Sequence, residues 1–272
     1  MIKGAVPFLL LLLFPQLSLS QPDPSLLSSP NLIYGFPGTH GKMLDKKYYL
    51  ISYRADAKVP EWTAYRLLKR DLDGPAKRKD DFREDPELAP GERSKLKDYY
   101  KKGFARGHSA PAEDFTRSVT AMSSTFFLSN MSPQHASLNS IKWSQLEAHA
   151  RDVARELDSC WIYTGSVFNQ SAAKHKTLGT TRTGKQKKIG KDSVWVPTHF
   201  YKIVLAHDND GSLLMWAFLM EHRNVKLPGE VTDYAVAVDS IERLTGLDFF
   251  KDLPDEIENR LESQVNQLWP IK

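Results

Sequence analysis

The chain has 272 residues, with 37 lysines and arginines against 33 aspartates and glutamates, a net charge of +4 with histidines neutral, and one cysteine. So mild a balance neither demands nor excludes a polyanionic partner, and any nucleic-acid argument must rest on where the basic residues cluster. An apolar content of 41% suffices for a packed core, whereas a lone cysteine rules out an internal disulfide and leaves the fold to stand on packing.

In chain order, residues 1–20, MIKGAVPFLLLLLFPQLSLS, carry one early lysine, a proline-interrupted apolar run too short for a bilayer, and serines at 18 and 20 before Gln21. This pattern reads as a cleavable signal peptide, so the mature protein is expected to be secreted or periplasmic. Removing Lys3 with it leaves 36 basic and 33 acidic side chains. No later stretch approaches the roughly 20 apolar residues of a membrane helix, so no membrane partner is expected. Residues 21–31 are a Pro/Ser-rich leader, and 32–272 are expected to form a single domain. YYLISYRA (48–55) and EWTAYRLLKRDL (61–72) have the aromatic and branched residues of strands. Residues 73–103 are charged and punctuated by Pro and Gly, which predicts an ordered loop with a helical turn at its end. TFFLSN (125–130), CWIYTGSVF (160–168), HFYKIVLAH (199–207) and LLMWAFLMEH (213–222) read as four more strands. Helices are expected over 139–158 and 239–247, the second started by Asp239 and stopped near Gly246. Strands outnumber helices without regular alternation, which predicts an α+β fold with a mostly antiparallel central sheet flanked by helices. Cys160, inside an apolar strand, reads as an inert core thiol.

On the longer helix, Leu146, Ala150, Val153 and Leu157 recur at helical spacing and form the stripe to be buried. Asn139, Trp143, Glu147 and Arg151 step by four along another face. Taken alone, that face is a solvated one carrying a Glu147–Arg151 pair. Its neighbourhood changes the weighting, because GFARGHSAPAEDF (103–115) lies shortly upstream. That stretch is too polar for a core strand and too interrupted for a helix, so packing does not explain Arg106, Gly107 and His108.

Five blocks, ARGHSAPAEDF, TFFLSNMSPQ, Asn139 followed by WSQLEAHAR, VPTHFYKIVL and VDSIERLTGLDFF, resemble in order those of the DNA/RNA non-specific endonucleases. The resemblance runs from about residue 48 to residue 250. It implies a ββα-metal (His-Me finger) site, with His108 as general base, Asn139 as protein ligand of one Mg²⁺ for which Mn²⁺ can substitute, and Glu147 orienting water of the metal shell. It further implies that Arg106, Arg151 and Arg78 lie near the scissile phosphate, with Arg83 competing for the place of Arg78. The family motif opens with aspartate where this chain has Ala105.

Phosphodiester hydrolysis independently suits these residue types. It needs a base near neutral pH, a hard cation and fixed donors around the phosphate. Histidine titrates in that range, an amide oxygen leaves most of a Mg²⁺ shell to water and phosphate, and arginine's planar fork fits the non-bridging oxygens. Cleavage is expected to leave 5′-phosphate and 3′-hydroxyl ends on both DNA and RNA. His135 and His149 read as structural or surface residues, and His199 and His207 lack zinc-ligand spacing. Asn130 reads as a turn-fixing buttress of the site. The loop 174–191 holds seven Lys/Arg and no acid, and is balanced between a solvated tip and a backbone-binding surface. The partners expected are therefore DNA and RNA through phosphate contacts, with a homodimer left open. Two other classes fit the same residues: a binding or uptake protein with weakened catalysis, to which Ala105 points, and a phosphodiesterase of small nucleotides.

Overall fold

A computed structural model describes residues 23–168 and 186–266. The expected signal peptide at 1–20 and residues 174–185 of the basic loop thus lie outside the described residues. Strands β1 (Lys42–Asp45), β2 (Leu50–Arg54) and β3 (Val59–Leu68) precede a separate ribbon of β4 (Ala105–His108) and β5 (Met131–Gln134). Then follow β6 (Ser159–Val167), a small pair β7 (Lys188–Ile189) and β8 (Val194–Trp195), and β9 (His199–His207), β10 (Leu213–Glu221) and β11 (Ala235–Val236). The main sheet has seven strands in the order β1-β2-β3-β6-β9-β10-β11, antiparallel throughout. The helices are α1 (Pro24–Leu27), α2 (Leu96–Tyr99), α3 (Val119–Ser124), α4 (Ser144–Glu156), α5 (Val238–Thr245) and α6 (Asp255–Glu262).

Register explains the two cores. Tyr65, Ile162, Val204 and Trp216 stand opposite one another across four strands, and so do their neighbours Ala64, Tyr163, Ile203 and Ala217. Successive side chains of a strand alternate between faces, so the first row packs with Leu146, Ala150 and Val153 of α4 while the second packs with Val238, Ile241 and Leu244 of α5 and Leu261 of α6. The stripe read from the α4 sequence is the buried one, and fully burying a Leu or Val there contributes about 1.5–3 kcal/mol. Cys160 is buried as expected, and burial pushes its thiol up, away from reactivity. Among the described residues no helix is long and apolar enough to cross a membrane.

Three expectations need correction. TFFLSN is not a strand: Leu128–Asn130 make a 3₁₀ turn and pairing begins only at Met131. The Asn130 amide donates to the carbonyls of Thr125 and Ala110 and its side-chain oxygen accepts the Ala110 N–H, so these peptides are satisfied by a side chain rather than by a ladder. The helix expected over 139–158 is α-helical only from Ser144 to Glu156, and Leu138–Trp143 wind as a wider π turn. Finally, α6, short and rich in charge, was not expected at all.

Candidate active site

The ribbon of β4 and β5 carries the histidine. Alternation puts Arg106 and His108 on one side and Ala105 and Gly107 on the other, with Ala105 opposite Gln134 and Gly107 opposite Ser132. A Cβ at position 107 would run into the Gln134 side chain, which gives the glycine of RGH a packing reason. The ribbon then turns under Asn130, whose carbonyl accepts the Ser109 N–H at 3.0 Å. The His108 ring meets Phe126 edge-on at 5.0 Å between centroids and Phe82 at 5.6 Å. Arg106 lies over the Phe82 ring at 3.9 Å and Arg78 over Phe126 at 5.2 Å. The imidazole is thus wedged between two aromatic rings, with two guanidiniums on their faces.

Asn139 comes from the π turn. His135 opens that turn: its carbonyl accepts the N–H groups of Leu138 and Asn139, and its own N–H donates to Nε2 of buried His222 at 2.7 Å. Nδ1 of His222 lies 2.8 Å from the Pro197 carbonyl, which makes it the protonated nitrogen of a neutral ring. The π turn closes i to i+5 rather than i to i+4, so the row of four is not straight. Trp143 falls into the core, while Asn139, Glu147 and Arg151 line the same space.

That space is a cavity of about 250 Å³ whose walls include Arg78, Arg106, His108, Asn139, Glu147 and Arg151. All six residues singled out in the sequence are brought together, on an arc from β4 to α4. Arg83 is not among the lining residues; it pairs with Asp81 at 2.9 Å and lies over Phe127. Arg78, by contrast, lines the cavity. Arg78 is braced by Asp80 at 2.8 Å and Glu113 at 3.1 Å, and Arg151 by Asp114 at 3.0 Å rather than by Glu147. Asp114 also accepts the Tyr65 hydroxyl at 2.7 Å. Lys202 projects from β9 beneath α4, donating to Thr164 Oγ1 at 2.6 Å and lying over the Trp143 ring. Asp114, Glu113, Lys202 and His222 escaped sequence reasoning. A single charge inside the apolar run HFYKIVLAH was the available signal for Lys202.

Electrostatics follow from this packing. Burial, aided by the positive charges of Arg78 and Arg106, lowers the His108 imidazole to about 3, and its Nε2 has no hydrogen-bond partner among the described residues. The ring is therefore neutral at pH 7 and holds a lone pair for a proton. Burial also raises the Glu147 carboxyl, with Asp114 and Glu113 pushing the same way and Lys202 and Arg151 opposing. The Lys202 ammonium is lowered by burial against the pull of Glu147 and Asp114. Asp114 is raised by burial, though Arg151 and the Tyr65 hydrogen bond favour its charge. For a cation, the donors at hand are the hard oxygens of the Asn139 amide and the Glu147 carboxyl, with room left for water and a phosphate, a set that fits a small divalent ion.

Comparison with known proteins agrees with this architecture. A family model described as DNA/RNA non-specific endonuclease matches residues 27–256. Nuclease C1 of Cunninghamella echinulata var. echinulata is 34% identical over 233 residues, covering 83% of this chain and 90% of its own. Human mitochondrial Endonuclease G is 32% identical over 222 residues, covering 81% of this chain and 73% of its own. Among solved structures, a chain of the EndoG/EndoGI complex superposes with a TM-score of 0.74 at 30% identity, covering 82% of this chain and 91% of that one.

Proposed function

Since the chain belongs to the DNA/RNA non-specific endonuclease family and is an endonuclease, we propose that the cavity around His108 is its active site and hydrolyses phosphodiester bonds of DNA and RNA to 5′-phosphate and 3′-hydroxyl ends. The observation that carries this reading is the shared cavity: a neutral histidine, an amide oxygen, a carboxyl and three arginines face one space. His108 takes the proton of the attacking water at a ring nitrogen; the lowered value leaves the ring unprotonated but weakly basic, and a phosphate bound against Arg78 and Arg106 would offset their charge and raise it toward the working range. Arg78, Arg106 and Arg151 grip the non-bridging oxygens, each pre-oriented by a carboxylate or an aromatic face. Glu147 orients water within the cavity, and its raised carboxyl lets it donate as well as accept. The Asn139 amide oxygen would hold a divalent cation, Mg²⁺ in this reading with Mn²⁺ able to substitute, which would supply positive charge against the departing 3′-oxygen.

Nothing among these groups reads a base edge, which supports low sequence selectivity. Residues 1–20 contain no arginine and an unbroken apolar run from Phe8 to Phe14. A mitochondrial presequence is amphipathic and Arg-rich, so this segment supports export to the periplasm or the exterior instead. Supercoiled plasmid and a long RNA, each with Mg²⁺ and then EDTA, test the activity. We expect cleavage of both by wild type, loss with EDTA, and a deep loss in His108→Ala. Ala105 favours a second reading, a nucleic-acid-binding protein of weakened catalysis. A wild type as inert as His108→Ala that still binds DNA establishes that reading and removes the first.

A further inference from the structure

On the face of the sheet away from His108, three carboxylates converge. Asp239 and Glu242 of α5 and Glu262 at the end of α6 each offer an oxygen within 4.8 Å of the others. The sequence dictates this convergence. Helix α5 buries Val238, Ile241 and Leu244, which places Asp239 and Glu242, three residues apart, side by side on the flank of that stripe. Helix α6 buries Leu261, and the adjacent Glu262 is carried down with it.

The cluster is poorly compensated. Glu262 is only 5% exposed, and its Oε1 has no hydrogen-bond partner among the described residues. Glu242 accepts the Phe249 N–H at 2.7 Å, but Asp248 and Glu258 add negative charge to the same place. Among the described residues only Arg243 makes an ion pair with any of the three, at 3.8 Å from Asp239 and well exposed. Burial and the neighbouring carboxylates raise Glu262 to about 9 and Glu242 to about 7. A buried carboxyl without a partner is costly and is relieved by a proton or by a cation. Protons can neutralise Glu262 and Glu242 one at a time but leave Asp239 and its acidic neighbours repelling one another, whereas a divalent ion can neutralise two carboxylates at once and give buried Glu262 a partner.

We propose that Asp239, Glu242 and Glu262 form a calcium site that clamps α6 to α5, separate from the cation of the nuclease cavity. The donor set is all hard oxygen, without nitrogen or sulfur, which excludes the softer transition metals. Calcium accepts irregular carboxylate sets completed by water, whereas Mg²⁺ demands a near-ideal octahedron. The site lies across the sheet from Asn139, so it acts on stability rather than on chemistry.

The test uses the full chain carrying Asn139→Ala, which disables the nuclease cation site, and titrates it with CaCl₂ by calorimetry and thermal melting. We expect saturable binding with a Kd on the order of 10⁻⁵ to 10⁻³ M, and a melting temperature raised by roughly 3 to 5 °C at tenfold that concentration. Adding Glu262→Gln abolishes both effects. Alone in the otherwise native chain, Glu262→Gln leaves Mg²⁺-dependent plasmid cleavage within twofold of wild type, and without calcium it melts no lower than wild type. The proposal is overturned by an absence of saturable binding in the Asn139→Ala chain, or by calcium stabilisation that survives Glu262→Gln. A protein that ignores calcium but loses part of the pH dependence of its melting in Glu262→Gln holds a proton there instead, which equally overturns it.

Discussion

The two faces of the seven-stranded sheet are built by the same strands yet filled by opposite rules. The centre of the face under α5 is apolar, with the Asp239, Glu242 and Glu262 carboxylates at its α5/α6 margin: Tyr163 meets Phe249 and Phe250 edge-on at 5.3 Å, Trp62 meets Tyr163 at 5.9 Å, and Ile203 and Leu205 fill between. The face under α4 admits Lys202 and Asp114 into the same depth, but only with partners, Thr164 for the lysine and Tyr65 and Arg151 for the aspartate. A buried polar group that is satisfied costs little, while an orphaned one costs about 1–3 kcal/mol. The back face thus holds the molecule together, while the front face gives up some apolar packing to fix charged groups in direction. Substitutions on the two faces should therefore separate stability from turnover.

The largest expected effect is on the front. His108→Ala should lower turnover of nucleic acid by about 10²- to 10⁴-fold while DNA binding and melting temperature change little, since the base acts mainly in the transition state. Near-normal cleavage by the folded variant would remove His108 from the chemistry. On the back face, Ile241→Ala is expected to cost about 2–5 kcal/mol of stability with cleavage per folded molecule unchanged. Denaturant melts and active-site-normalised rates check the two halves of that statement, and a rate loss as large as the stability loss would blur the distinction between faces. Asp114→Ala should do some of both. It strands the Tyr65 hydroxyl and frees Arg151, so a loss of about 1–3 kcal/mol should accompany a 10- to 100-fold slower reaction. If the rate is intact, Arg151 does not need its brace.

The proton of His108 supplies a further test. Its folded value, about 3, lies below the ordinary 6.5. As pH falls through 6.5 the unfolded chain takes up this proton before the folded chain does, so this group withdraws stability progressively toward pH 3. A ring-proton NMR titration should find His108 still neutral well below the ordinary 6.5, and His108→Gln should soften the acid limb of the stability curve. A titration midpoint near 6.5 would show the ring to be better solvated than its aromatic wedge implies.

Much of this was legible in the sequence. The near-continuous apolar run of HFYKIVLAH marks an interior strand, which is buried on both faces, and the stripe of Leu146, Ala150 and Val153 marks the side of α4 that meets the sheet, because a period of 3.6 is a property of the helical backbone. The six cavity residues were reached from ordered blocks rather than from any one motif. What failed did so for physical reasons. Phe126 and Phe127 raised strand propensity, but the backbone there turns back on Ser123 and Ser124, pairs with Arg83 of the preceding loop and, at Thr125, meets the Asn130 amide, partnerships that composition does not encode. The π turn escaped because a wide turn has no signature of its own in the spacing of Asn139 and Trp143. Asp114 and Glu113 stood within a quoted block, yet nothing local says which arginine each will meet.

The smallest expected effect concerns Ala105, where the geometry revises the sequence argument. A carboxylate beside Arg106 suggests a partner for that arginine, but adjacent residues of β4 point to opposite sides of the ribbon. Ala105 instead stands opposite Gln134, a residue 1% exposed whose Nε2 has no hydrogen-bond partner among the described residues. An aspartate there would sit within reach of that amide and give it an acceptor, while Arg106 keeps its seat on Phe82. The expectation is therefore a gain of about 1 kcal/mol in stability for Ala105→Asp, from satisfying a buried donor, with cleavage of plasmid and RNA equal to wild type or modestly faster. Thermal melts and initial rates on matched samples of wild type, Ala105→Asp and His108→Ala measure both. A variant that is no more stable but much faster would return the carboxylate to Arg106 or the cavity. A wild type that cuts no better than His108→Ala, with activity restored only by the aspartate, would mean that the ribbon cannot present His108 without it, and that this chain binds nucleic acid more than it cleaves it.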